Sequence, residues 1–159
     1  MKTREEILAN RWIKPFAHRL SHPALWHTNR RSMAKALGLG LFAAFVVPIG
    51  QIVLATFLAV PARANVPVAV GATFVSNPFT FAPTWYAAWW LGNHLLAPFG
   101  IESHPLDLSA GYAWSAVATM APITIGLVII AIASGILGYV GGYLWYSLRL
   151  GWRWKARRG

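Results

Sequence analysis

The chain has 159 residues, 57% of them apolar and 11% charged, with 14 Lys and Arg, four Asp and Glu, and no Cys. Soluble domains run at ~45–50% apolar and ~25% charged, so this composition excludes an ordinary soluble globular domain. The lack of Cys excludes disulfides, thiol nucleophiles and Cys-ligated metals.

The net charge of +10 is clustered. Eight of the basic residues lie from Lys2 to Lys35 and five from Arg149 to Arg158, with Arg63 alone between the clusters. Basic patches can bind nucleic acid. These flank apolar segments instead, so they read as topology signals that hold both ends in the cytoplasm. Nine Trp, eight Phe and five Tyr suit the aromatic belts of a membrane protein.

Residues 1–35 form a basic cytoplasmic segment. Ile7, Leu8, Trp12 and Phe16 fall near helical spacing and predict an amphipathic helix, on the lipid interface or on a plain surface. Residues 36–148 form the membrane domain. Ala36–Val60 is uncharged and longer than the ~20 residues a span needs, so it predicts the first transmembrane helix. Pro48 kinks it, and Gln51 is placed to meet a freed carbonyl. Ala62-Arg63-Ala64 mimics a signal-peptidase site, but the long polar lead and long apolar run predict no cleavage.

A polar turn follows, and Asn65 and Pro67 predict a short helix to about Val75. The stretch "SNPFTFAP", Ser76–Pro83, breaks the next apolar run, and a second helix is expected from about Pro83 to Ala97. Short helix, polar break and short helix is the pattern of a re-entrant hairpin. The loop Phe99–Gly111 carries Glu102, His104 and Asp107. Tyr112–Leu148 is again uncharged, with the true span starting near Pro122. Gly135, Gly138 and Gly142 at three- and four-residue spacing predict close helix packing. Residues 149–159 form a basic cytoplasmic tail. The fold expected is an all-α integral membrane protein, with two full spans and a broken, re-entrant hairpin dipping from the outer side. Four crossings are the alternative.

The candidate ligand-binding residues are Arg63, Asn65, Thr73, Asn77, Thr80 and Gln51, with Pro48, Pro67, Pro78 and Pro83 shaping the hairpin and kink. Asn77 and Pro78 start a helix, whose free amides and positive dipole end favour an anion. The same groups can simply cap their own backbone. Arg63 suits a lipid phosphate, or snorkels to the interface. No catalytic triad, phosphate loop, dinucleotide fingerprint or metal-ligand spacing is present, so the sequence predicts neither an enzyme nor a bound metal or cofactor.

Arg30-Arg31-Ser32, Pro48 and Gln51, then Arg63-x-Asn65-x-Pro67, precede Thr73, Asn77-Pro78-x-Thr80 and Pro83, followed by Tyr86 and Gly92. This combination resembles the bacterial membrane protein family called domain of unknown function 2062, over about residues 22–148. Val47-Pro48-Ile49-Gly50 stands where that family often has Pro-x-Pro. The resemblance implies a multi-pass protein of the bacterial inner membrane and leaves its activity open. The architecture is also similar to DedA-type lipid transporters. From these residues and likenesses the expected function is a small homo-oligomeric transporter or scramblase of an anionic lipid or polyprenyl-phosphate-linked intermediate. The alternative is a structural or regulatory partner anchoring a membrane enzyme such as a glycosyltransferase.

Overall fold

The computed structural model describes Leu25, residues 28–47 and 49–100, and residues 112–155, with side chains along that last stretch at 120–148. The expected amphipathic N-terminal helix, Pro48 and the loop residues 101–111 lie outside the described residues. Those described are helical, without a strand: α1 Arg30–Val46, α2 Gln51–Ala59, α3 Val66–Thr73, α4 Pro78–Leu96 with a 3-10 turn at Ala97–Phe99, and α5 Tyr112–Lys155.

The segment 36–60 is not one helix. Val47, which precedes a proline, is extended at φ −129, ψ 111, as steric clash with the proline ring demands. Gly50 then takes φ 82, and its carbonyl accepts from Val53 and Leu54 to start α2. Left-handed backbone is nearly free only for glycine. The chain therefore reverses, and α2 returns along α1. Asn65 N–H donates to Ser32 O, and Lys35 Nζ donates to Ala62 O at 3.1 Å. The turn at 61–65 thus lies at the same end of the molecule as the basic start of α1, not at the opposite end as expected for a continuous span.

From that turn α3 runs back up α1. Asn65 caps it by accepting from Val68 N–H, and Pro67 falls in its first turn, as expected. The next helix begins at Pro78, as the Asn77-Pro78 pair predicts, and Pro83 falls inside it rather than at its start. Asn77 accepts from Phe79 and Thr80 N–H, and Thr80 Oγ1 accepts from Asn77 N–H, closing a capping box. Pro83 sits inside the helix that this cap starts. α4 then continues past the end of α1.

The long α5 packs antiparallel to both α1 and α4. Gly135 and Gly138 meet Gly38, Phe42 and Leu37, and Gly142 meets Ala34 and Leu37. Further along, Gly126 touches the Ala88 carbonyl and Gly92 touches the Pro122 carbonyl. Tyr146 OH donates to Thr28 O, so the C-terminal end of α5 joins the N-terminal end of α1. Both described basic regions therefore share one end of the molecule, as the charge clusters predict. The basic tail expected from residue 149 begins as helix, through Lys155.

Small residues fill the inside: Ala34, Ala36, Ala43, Ala44, Ala55, Ala59, Ala69 and Ala88 are buried. Large apolar side chains face out, with Phe79 at 91% and Leu137 at 70% exposure. Close packing on small residues with bulk outside is the habit of helices in lipid. Hydroxyls of Thr56, Thr124 and Ser147 donate to carbonyls one turn back, which satisfies them within the helix. Among the described residues one helix, Met120–Leu148, is long and apolar enough to cross a membrane.

Candidate functional site

Two helix starts converge at the basic end. Asn29 caps α1 by accepting from Ser32 N–H at 2.7 Å, and Asn65 caps α3. Asn65 N–H donates to Ser32 O, which ties one start to the other. Two sets of amide groups and two positive dipole ends thus lie side by side.

The turn before α3 carries Arg63. Ala64 N–H donates to Ala59 O and Arg63 N–H to Val60 O, the two bonds of a Schellman turn. Such a turn needs a left-handed residue, usually Gly, and here Arg63 holds φ 51. It is the one non-glycine residue with positive φ among those described. A strained side chain at a turn is a mark of function more than of stability.

Asn29, Arg30, Arg31, Ser32, Lys35 and Arg63 line an open basin of about 410 Å³. Four of the six are cations, and no carboxylate occurs among the described residues. Arg30 is braced by the Tyr143 ring, 4.5 Å from its centroid, and reaches Ser147 Oγ at 3.5 Å. Lys35 is fixed by its bond to Ala62 O. At the floor, Ser32 is only 3% exposed, and its Oγ has no hydrogen-bond partner. A buried hydroxyl left unpaired costs ~1–3 kcal/mol. The geometry suits a phosphate: four cations, two of them held by neighbouring groups, beside two helix starts.

Of the sequence-predicted binding residues, the structure brings Arg63 and Asn65 to this end. The others lie elsewhere. α3 has eight residues and separates Asn65 from the 74–77 turn by about 12 Å. Thr73 is fully buried, and its Oγ1 donates to Val70 O within α3. Asn77 Oδ1 and Thr80 Oγ1 take part in the α4 cap, with Thr80 Oγ1 also donating to Val75 O at 2.8 Å. The gap beside Ser76, between Phe45, Trp85 and Leu127, holds about 10 Å³, room for about one water. Gln51 opens α2 at the other hairpin turn, and its Oε1 is buried without a partner.

Sequence reasoning missed Asn29, Arg30, Arg31, Ser32 and Lys35 as site residues. Their signal was the compact run "NRRSMAK" at the start of α1, which puts a cap, three cations and a hydroxyl within seven residues. Its charge alone reads as a signal of membrane orientation, and its Arg-Arg-Ser as part of the family resemblance. No group of His, Asp or Glu that could hold a metal occurs among the described residues. His94 lies tilted against Trp90, 4.3 Å between ring centroids.

No curated protein and no solved structure matches the chain. A family match covers residues 13–155, nearly the whole length. The chain belongs to the bacterial family described as an uncharacterized protein conserved in bacteria, domain of unknown function 2062.

Proposed function

We propose that this protein is a small transporter or scramblase of the bacterial inner membrane. It takes up an anionic lipid or lipid-linked intermediate at its cationic end and passes it along its broken helices. The observation that carries this reading is the basin of Arg30, Arg31, Lys35 and Arg63 over the unpaired Ser32 Oγ. The basic end faces the cytoplasm. α1 and α2 then form a hairpin entering from that side. From Lys35 to Val46 is about 16 Å, which takes the tip near the middle of a ~30 Å hydrocarbon core. α3 and α4 make a broken crossing, and α5 returns. Irregular backbone at such depth is tolerated only beside protein or a polar path, and both turns, at 47–50 and 74–77, sit there.

The test is movement of a fluorescent anionic lipid in vesicles holding the purified chain. The expected result is faster exchange between leaflets than in empty vesicles, lost on Arg63→Gln. Exchange at the empty-vesicle rate would remove the transport reading. The proposed homo-oligomer would use the outer face of α5, where Gly141 meets nothing within 4 Å and Leu137, Leu144 and Trp145 are exposed. Oxidative cross-linking of Gly141→Cys in membranes checks it, and a chain that stays monomeric would rule that face out.

A further inference from the structure

The basin does not end at Lys35. A second groove of about 480 Å³ starts at the same side chain and runs between α1 and α5. Its walls are Leu39, Phe42, Ala62, Ile132 and Ile136, with Gly38 and Gly135 at its floor, where the two backbones touch. Lys35 lines both spaces, and Ala62, whose carbonyl holds the Lys35 ammonium, precedes Arg63 of the basin. The lysine is thus the sill between a cationic chamber and an almost wholly apolar one. The groove follows α1 from Lys35 to Phe42, about 10 Å along the axis and away from the basic end. Its volume lies within the ~300–1,000 Å³ of small-molecule sites.

A free phosphate would use the basin and leave the groove empty. A hydrocarbon alone would use the groove and ignore four cations. One molecule satisfies both: a lipid with an anionic head in the basin and one chain laid along Leu39, Phe42 and Ile132. The charge narrows the head. A phosphodiester brings one negative charge to four cations. A terminal phosphate monoester brings about −1.5 to −2 at neutral pH and three acceptor oxygens, enough to engage Arg31 and Arg63 together. Arginine pairs with such oxygens in bidentate fashion.

We infer that the basin and groove form one lipid site, selective for a terminal phosphate monoester over a phosphodiester head, with one hydrocarbon chain held between α1 and α5. This rests on the membrane placement proposed above and specifies the ligand of the same site.

The experiment places the full chain in phosphatidylcholine nanodiscs doped equally with phosphatidic acid and phosphatidylglycerol. Mass spectrometry then identifies the lipid each chain retains. The native chain is expected to keep phosphatidic acid over phosphatidylglycerol by roughly tenfold, the scale of one charge-assisted hydrogen bond. Arg63→Gln and Arg63→Gly should both bring the two lipids to parity. The glycine variant relieves backbone strain, so its loss cannot be blamed on misfolding. Leu39→Trp and Ile136→Trp fill the groove from opposite walls and leave the four cations in place. Both should reduce retained phosphatidic acid while the basin's binding of inorganic phosphate, followed by calorimetry, stays unchanged. Equal retention of the two lipids by the native chain would overturn the inference. So would selectivity that survives both groove-filling variants, since the head alone would then be bound. Selective retention without lipid movement would count against transport and leave this site standing.

Discussion

At Arg63 a cationic side chain occupies a backbone position built for glycine, with φ 51 in the turn that joins α2 to α3. Left-handed backbone costs a non-glycine residue roughly 1–2 kcal/mol. Arg63→Gly and Arg63→Ala both remove the guanidinium, but only glycine relieves the strain. The glycine variant should therefore be the more stable of the two by about 1 kcal/mol, after its larger unfolded-state entropy is counted. Chemical denaturation in mild detergent measures this, and equal stabilities would mean that the turn is not strained. Ser32 makes the same trade in another form. Its buried Oγ has no partner, so Ser32→Ala should be neutral or stabilising by up to about 1 kcal/mol in lipid-free protein. A variant that is destabilised without added lipid would show that the hydroxyl has a structural partner instead.

Between elements, contact is made by backbone on backbone. Gly126 lies against the Ala88 carbonyl and Gly92 against the Pro122 carbonyl, where an added Cβ has no room. Gly126→Ala should part α4 from α5 and destabilise the fold by about 1–3 kcal/mol. Gly71, with nothing within 4 Å, is the control. Gly71→Ala should be tolerated or mildly stabilising, because alanine is the better helix former by roughly 1 kcal/mol. Denaturation curves of the two variants decide it; equal stabilities would deny the close approach. The helix starts were legible in the sequence to different degrees. The Asn65 and Asn77 caps were readable because capping is local chemistry. The Asn77-Pro78 start is legible, but the break Ser76–Pro83 is shorter than the residue types suggest, because Thr80 closes a box with Asn77 and the helix runs on through Pro83. Segment 36–60 was misread for a deeper reason. A proline in an apolar run kinks a span or reverses it, and hydropathy is the same in both cases. Gly50 decided the matter, by supplying a left-handed residue just after the proline.

For the whole molecule, what was legible was the pairing of the two basic ends and the glycine contacts of α5. What was not legible was the company Arg63 keeps. A lone charge between apolar runs stands out in a sequence, but its neighbours Arg30, Arg31 and Lys35 are distant in the chain and come close only because α2 folds back. That fold-back also fixes where the turn at 61–65 faces. If α2 were the second half of a span, Pro61 would face the side opposite Ser32. In the structure Pro61 is exposed at the basic end, and Phe99, 77% exposed, ends the α4 segment that leads away from it. The chain has no cysteine, so single substitutions report without background. Pro61→Cys should react with a membrane-impermeant thiol reagent only in inverted vesicles, and Phe99→Cys only in intact cells. Reaction of Pro61→Cys from the outside would place the basic basin away from the cytoplasmic leaflet. A lipid supplied from the cytoplasm could not then reach Arg63, and both the direction and the starting leaflet of the proposed transport would have to be reversed.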